Sequence, residues 1–394
     1  MNIHAELVAL RQKFDATQPE VELTVRDPDL GVEGYVVVWN TGISTGGPLE
    51  RCGKGGTRIT PTLTLDEVKM LARTMALKNA AAGLPLGGAK SGLKLDSAAP
   101  GFEKQYRRFV RLCAPLLHEN GGPFGGFGFD IGGRPEHALW ACDELKSTRC
   151  FTGKPPHMGG TDYDREGIAG LGVAVAGAIM MQERGESPAQ TTFAIQGMGA
   201  MGAAVLRYFS EYGARLVALG DPKYGGTWTF AKPLSDGLGQ ALIDQNSDEA
   251  VRRLAAEAMK VSNDAQDVLY QNAGILFPCA VQNVIREDNV HRIQARHVCE
   301  GANSPVTPGA RTALHQRGIS LVPDFIANSG GIIAAFVELT SNNPNKPEEA
   351  KTLAREKIGA NVLELLNLCR DHGCEPQDAG MYMALSRIYR TRSR

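Results

Sequence analysis

Three lysines and one aspartate stand among glycines in the first third of the chain. Lys90 lies in Leu84-Pro85-Leu86-Gly87-Gly88-Ala89-Lys90-Ser91-Gly92. Glycine lets backbone approach a ligand closely and adopt angles closed to other residues. A lysine held against such backbone, away from bulk water, has its pKa lowered and works near neutral pH as a base or an electrostatic catalyst. Taken alone, the stretch also reads as a glycine-rich turn with a solvated lysine. Lys78 precedes it in Met75-Ala76-Leu77-Lys78-Asn79, and Lys54 in Gly53-Lys54-Gly55-Gly56-Thr57-Arg58. Asp130 follows in Phe127-Gly128-Phe129-Asp130-Ile131-Gly132-Gly133. Two aromatic rings beside this carboxylate predict that it is desolvated and its pKa raised. The competing reading is an aspartate that caps a helix starting near Pro135.

The elements that must hold these groups can be traced. Apolar positions at Leu7, Val8, Leu10 and Phe14 predict an amphipathic helix over 2–15. Val21–Val25 and Tyr35–Trp39 are β-branched and aromatic and read as strands. Residues 40–56 form a loop rich in Gly, Ser and Pro. Thr64-Leu65-Asp66-Glu67 is a capping-box signature that opens a helix running to Ala82, with Lys78 in its last turn. Lys90 falls on the loop after that helix, so helix and loop present both ammonium groups to one place. A helix over 102–118 and a glycine-rich loop over 121–133 follow.

A second region carries a different signature. Thr192–Gln196 reads as a buried strand, Gly197-Met198-Gly199-Ala200-Met201-Gly202 follows it, 203–212 is helical, and Arg215–Leu219 is a strand leading to Asp221. This is GxGxxG between strand and helix with an acid further on, the full context for dinucleotide binding. The free N–H groups of the helix N-terminus hold a pyrophosphate. Asp221 suits a ribose hydroxyl and argues NAD; Lys223 can neutralise a 2′-phosphate and argues NADP. The balance leans to NAD. Strand-like runs at 275–277, 297–300 and 321–322 each end in a motif, where ligands lie in a parallel sheet.

The Lys-Gly-Gly segment, the helix with a second lysine, the Pro-x-Gly-Gly-x-Lys loop and the Asp-Ile-Gly turn occur in the order seen in the amino acid dehydrogenases of the glutamate/leucine/phenylalanine/valine superfamily, which this chain resembles. The resemblance continues through Thr152-Gly153-Lys154-Pro155, Glu300-Gly301-Ala302-Asn303 and Ala327-Asn328-Ser329-Gly330-Gly331, and covers residues 20–340. It implies an α/β protein of two domains: an N-terminal substrate and oligomerisation domain (1–150, with 345–394 packing back) and a Rossmann-type domain (151–344), with the active-site cleft between them.

It also implies roles. Lys78 holds the substrate α-carboxylate, Lys90 activates water and stabilises charge on the carbonyl oxygen, and Asp130 exchanges protons with the amino nitrogen. Gly87, Gly88, Thr152, Asn328, Ile332 and Ala335 join Lys54 and Lys78 around the substrate. Cys279, Ala280, Asn283, Asn303 and Asn328 join the glycine loop, Asp221 and Lys223 around the cofactor. The implied reaction is NAD(P)-linked oxidative deamination of an L-amino acid to the 2-oxo acid and ammonium, and its reverse. Lys54 matches the lysine that pairs with a glutamate side-chain carboxylate. Ala335 stands where glutamate enzymes carry serine, which leaves an aliphatic substrate as the alternative. Ala169 and Ser91 are further departures, and with Ala335 they motivate a third reading, a noncatalytic nucleotide-binding paralogue. Family members form homo-oligomers, often hexamers.

Composition narrows the classes. Formal net charge is −1, from 42 basic and 43 acidic residues, and the C-terminal Arg387, Arg390, Arg392 and Arg394 read as a solvated tail rather than a nucleic-acid face. No apolar run approaches the roughly 20 residues that span a bilayer. Residues 1–15 carry charges and no signal-peptide core, so a cytoplasmic location is expected. None of the eight cysteines forms a CxxC pair, and neither a disulfide frame nor a metal site is expected.

Overall fold

The computed structural model describes residues 3–390. The chain divides into two units. The first comprises the described residues up to Asp162, Ile332–Ala350 and those from Met381 onward; the second comprises Tyr163–Gly331 and Lys351–Gly380.

The first unit begins with α1 (Ile3–Ala16), which buries Ile3, Leu7 and Phe14 and leaves Val8 exposed. β1 (Val21–Asp27), β2 (Val32–Trp39), β3 (Gly53–Lys54) and β4 (Thr57–Ile59) follow, then α2 (Leu65–Ala81), β5 (Gly87–Leu93), α3 (Phe102–Cys113), β6 (Phe127–Gly128), α4 (Pro135–Leu145) and β7 (Phe151–Thr152). The main sheet runs β1-β2-β5-β3, with β4 also on β5. β2 is buried on both faces because a helix covers each. Val36 and Val38 face the core built by α3, and Tyr35, Val37 and Trp39 face the one built by α2.

Lys90 is therefore not on a loop. It lies mid-strand in β5, paired antiparallel with Val37. The composition misleads because glycine is needed here for packing. A Cβ at Gly88 would come 2.2 Å from the Ala72 carbonyl oxygen of α2. Ala89 belongs to the α3-side core, so strand alternation puts Lys90 on the α2 face, the side that carries Lys78. The segment 41–53 is packed: Thr41–Ile43 form a 3-10 turn, Cys52 is buried, and Pro48, Leu49 and Cys52 line a cavity of about 250 Å³ with Gly125, Gly126 and Cys150.

The second unit opens with α5 (Ile168–Glu183), apolar nearly all round and buried accordingly. β8 (Thr192–Gln196), α6 (Ala200–Ser210), β9 (Arg215–Asp221), β10 (Gly226–Thr229), α7 (Asp236–Ile243), α8 (Ser247–Glu257), β11 (Met259–Ser262), β12 (Ile275–Pro278), β13 (His297–Cys299), α9 (Pro308–Gln316), β14 (Ser320–Val322) and α10 (Asp324–Ala327) follow. The sheet order is β11-β10-β9-β8-β12-β13-β14. β9, β8, β12, β13 and β14 are mutually parallel, and β10 and β11 add an antiparallel edge. From β8 the chain moves to β9 on one side and later to β12 on the other, the switch point at which doubly wound sheets bind ligands.

α11 (Gly330–Thr340), α12 (Lys346–His372) and α13 (Pro376–Arg390) complete the chain. The division differs from 1–150, 151–344 and 345–394. Residues 151–162 stay with the first unit, where β7 pairs with β6. Most of α12 belongs to the second, where Lys351 pairs with Glu166 at 2.6 Å. Arg387 is no tail residue: it donates to the Ala80 and Ala81 carbonyls at 3.0 and 2.8 Å, neutralising the C-terminus of α2. Arg392 and Arg394 lie outside the described residues, as does the Arg390 side chain.

Candidate active site

In the first unit the helix cap and the lysines fall into one arrangement. Thr64 Oγ1 accepts from Glu67 N and starts α2, whose last turn carries Lys78, half-buried. Lys90 is 5% exposed, and its Nζ stands 2.6 Å from Asp130 Oδ2. Burial pulls Lys90 below the ordinary lysine range although Asp130 pushes the other way; Lys78 and Arg58 add repulsion. Burial alone would lift Asp130. Lys90, the Ile131 backbone N–H and Arg58 together outweigh it and hold the carboxyl below the usual range. The raised pKa expected from the flanking rings is thus reversed. Phe127 packs into the core against Phe109 and Phe124, and Phe129 against Phe151, while two cations face the carboxylate. Asp130 does not cap α4 either; Arg134 occupies that position.

Lys54 is 1% exposed. Its Nζ donates to the carbonyls of Gly55 (3.0 Å), Gly126 (2.8 Å) and Phe127 (2.7 Å). Three carbonyl dipoles satisfy its hydrogens, no described carboxylate lies at ion-pair distance, and burial, opposed by Cys52 and the more distant Glu338, draws its pKa down to about 7. Asn79, beside Lys78, donates to the Lys54 and Gly87 carbonyls and so ties β3 to β5. Gly128 keeps a side chain out of the space between Thr152 Oγ1 and Lys54 Nζ, which a Cβ there would approach at 3.1 and 3.5 Å. Gly87 and Gly88 lie inside the sheet against protein backbone. Ser91 Oγ is 2.8 Å from Thr57 Oγ1 on the paired strand, so that departure from the family pattern is a buried cross-strand hydrogen bond.

Two residues escape sequence reasoning. Arg58 reaches Asp130 through Nε at 3.2 Å and Glu67 through Nη1 at 2.8 Å. Glu338, one turn after Ala335 on α11, is fully buried; it accepts from Gly153 N, Thr161 N and Thr161 Oγ1, and pairs with Lys154 Nζ at 2.9 Å. It fixes the segment that carries Thr152. A lone acid in the apolar run Gly330–Leu339 was a readable signal for it; Arg58 had none. Ile332 is half-buried and Ala335 buried on the same helix.

In the second unit the glycine loop fits a pyrophosphate. Gly197 has φ +88°, a left-handed angle, and a Cβ there would strike Ala280. A Cβ at Gly202 would fall 1.9 Å from the Gly197 carbonyl oxygen, so α6 packs tightly on the loop. Gly199 faces open space, and α6 starts there without a side-chain cap, leaving its first N–H groups for an anion; Gly199 and Ala200 are exposed, Met201 half-exposed. Asp221 accepts from Met198 N at 2.6 Å and Lys223 N at 2.8 Å, while Lys223 Nζ donates to the Met198 carbonyl at 2.6 Å. Both carboxylate oxygens are thus engaged by backbone N–H groups.

Cys279 is buried at the end of β12, and Ala280–Asn283 are exposed beyond it. Asn328 Nδ2 donates to the Gly301 carbonyl and Asn303 Oδ1 at 3.1 and 3.2 Å, so these two asparagines lie side by side. Glu300 holds their loop through a two-pronged pair with Arg311 at 3.0 Å, and burial lifts its pKa to about 7.

A glycine loop shaped for a pyrophosphate, and elsewhere a buried ammonium–carboxylate pair able to move protons, are the means of a dehydrogenase whose reaction also exchanges protons at the substrate. Residues 159–394 match the family model described as Glutamate/Leucine/Phenylalanine/Valine dehydrogenase, and 19–143 match Glu/Leu/Phe/Val dehydrogenase, dimerisation domain; the chain belongs to this family. It is an amino acid dehydrogenase, an oxidoreductase that works with a nicotinamide dinucleotide. It is 34% identical over 373 residues to an NADP(+)-dependent glutamate dehydrogenase of Pyrobaculum calidifontis, covering 91% of this chain and 85% of the relative. It is 32% identical over 355 residues to an NADP-specific glutamate dehydrogenase of Saccharolobus shibatae, covering 86% and 80%. In fold it is similar to a hetero-hexameric glutamate dehydrogenase of Thermus thermophilus in its Leu-bound form, with a TM-score of 0.72 at 23% identity over 98% of this chain and 95% of that one. Both sequence relatives are named for NADP, so the lean to NAD drawn from Asp221 has no support. None of the described helices is long and apolar enough to cross a membrane.

Proposed function

We propose that the protein catalyses NADP-linked oxidative deamination of L-glutamate to 2-oxoglutarate and ammonium, and the reverse reductive amination. One observation carries the substrate: Lys54 is a fully buried amine with three carbonyl partners and, among the described residues, no carboxylate at ion-pair distance, Glu338 acting on it only from farther off. A buried cation in that state is stabilised by an incoming anion, and the side-chain carboxylate of glutamate is one. The names of the two sequence relatives agree with this reading. Lys223 beside Asp221 supports NADP, since its ammonium can neutralise a 2′-phosphate.

Lys78 pairs with the substrate α-carboxylate as a point charge. Asp130, held ionised, takes a proton from the substrate ammonium group. The bound nicotinamide supplies the hydride acceptor for the substrate Cα. Lys90 then orients the water that adds to the resulting iminium carbon and steadies negative charge on its oxygen, while Asp130 returns its proton to the nitrogen so that the C–N bond breaks and ammonia leaves. A neutral amino acid is the second reading, favoured by Ala335, which offers no donor to a distal carboxylate. A homohexamer is proposed: the match to a dimerisation domain supports self-association, and the hetero-hexameric neighbour supports six subunits. The test is a panel of L-amino acids with NADP and NAD, followed by reduced-nicotinamide absorbance. Glutamate with NADP should give the highest kcat/KM; a higher value for leucine overturns the glutamate assignment, and no turnover with any amino acid overturns the reading as a whole.

A further inference from the structure

Arg58 is the charged residue nearest the proposed catalytic pair that the mechanism above leaves without a role. Its place follows from the backbone. Ile59 N donates to the Ile131 carbonyl at 2.9 Å, so the Asp130 segment runs beside β4. Gly56 permits the approach, since a Cβ there would meet the Phe129 carbonyl oxygen at 2.6 Å. The Arg58 guanidinium is then held at both ends. Nε reaches Asp130 Oδ2 at 3.2 Å and Nη2 reaches Oδ1 at 3.4 Å, while Nη1 is anchored 2.8 Å from Glu67 Oε1, in the first turn of α2. Oδ2 is further occupied by Lys90 at 2.6 Å. Among the described side chains, Oδ1 has only the long Arg58 contact, which makes it the oxygen less engaged by cations, while the Ile131 backbone N–H also faces the carboxylate.

We propose that Arg58 is the positioning residue for Asp130: anchored by Glu67, its planar fork turns the carboxylate so that Oδ2 stays with Lys90 and Oδ1 faces the substrate amino group. This rests on the assignment of Asp130 as the proton-exchanging group. A guanidinium is suited to the task because its donors form a rigid plane, where an ammonium offers only a point charge. The groups that face Asp130 are Lys90 from β5, Arg58 from β4 and the backbone N–H of Ile131, with Glu67 behind Arg58 and Lys78 from α2 beside Lys90.

The experiment compares wild type with Arg58→Lys, Arg58→Met and Glu67→Gln, reading kcat and the pH profile of kcat/KM. Arg58→Met loses both fork and charge: kcat should fall at least about tenfold, and the acid limb should move up by about one pH unit, the low end of what a neighbouring opposite charge supplies. Arg58→Lys should keep the acid limb near its wild-type position and still lose kcat, which a role in charge alone would not produce. Glu67→Gln, which touches neither Asp130 nor Lys90, should lower kcat in the same direction by a smaller factor. Infrared difference titration of the carboxylates follows Asp130 without turnover, with Asp130→Asn marking its band. If Asp130→Asn keeps full activity, the assignment of Asp130 fails and this proposal with it; if Asp130→Asn is inactive while Arg58→Met keeps wild-type kcat and acid limb, the proposal alone is overturned. If Arg58→Met does not fold, unchanged kcat in both Arg58→Lys and Glu67→Gln overturns it equally.

Discussion

Lys54 makes substrate preference depend on pH in a way that can be calculated. Burial sets its pKa at about 7 in the free protein. The ammonium that attracts a distal carboxylate is present below that value and lost above it. With a pKa of about 7, the protonated fraction falls from about nine-tenths at pH 6 to about one-tenth at pH 8. The kcat/KM for glutamate reads the free enzyme and should carry this fall. Norvaline shares the α-amino and α-carboxylate groups and the dependence on Asp130 and Lys90 but lacks the distal charge, so the ratio of the two kcat/KM values isolates Lys54. That ratio should drop about tenfold between pH 6 and pH 8. In Lys54→Met it should be flat and, at pH 6, lower by roughly 10–150-fold, the loss of one charge-assisted contact of about 1.5–3 kcal/mol. The assay is initial-rate absorbance of reduced nicotinamide at each pH. A wild-type ratio that does not change with pH, or a Lys54→Met ratio equal to wild type, refutes the assignment and shows that Lys54 serves only its three carbonyls.

Lys90→Ala and Asp130→Asn should each lower kcat by roughly 10²–10⁴ with cofactor affinity unchanged by fluorescence titration, and near-normal turnover removes that residue from the mechanism. Lys223→Ala should raise the Kd for NADP by roughly 10–150-fold and leave NAD within a few-fold; equal effects on both would place Lys223 away from the 2′-phosphate. Glu338→Ala strands the buried Lys154 and should cost about 3–5 kcal/mol in denaturant unfolding, with Glu338→Ala/Lys154→Met recovering part of it; a loss under 1 kcal/mol would show the pair to be solvated. Light scattering at micromolar concentration should give six times the chain mass, and a monomer contradicts the hexamer.

Sequence reasoning reached the parts whose signals are local. Thr64 with Glu67 announced α2, and a strand, GxGxxG and a helix announced the dinucleotide loop, because each motif's geometry lies within a few residues. Glycine and proline around Lys90 read as loop, whereas the glycines of β5 let α2 and the neighbouring strands close on it. The rings beside Asp130 predict a raised pKa, but they turn into the core while its cations, Lys90 and Arg58, come from strands distant in sequence. Glu338 meets Lys154 across 184 positions of sequence. The strands β10 and β11 are short, and Gly226-Thr227-Trp228-Thr229 lacks the apolar run that marks a central strand.

The stoichiometry of the reaction tests the central claim most directly. Incubated with L-glutamate and NADP, the protein should form reduced nicotinamide, 2-oxoglutarate and ammonium in equal amounts, and Lys90→Ala should form none of the three at a comparable rate. Reduced nicotinamide without ammonium, or product formation undiminished in Lys90→Ala, would contradict the account.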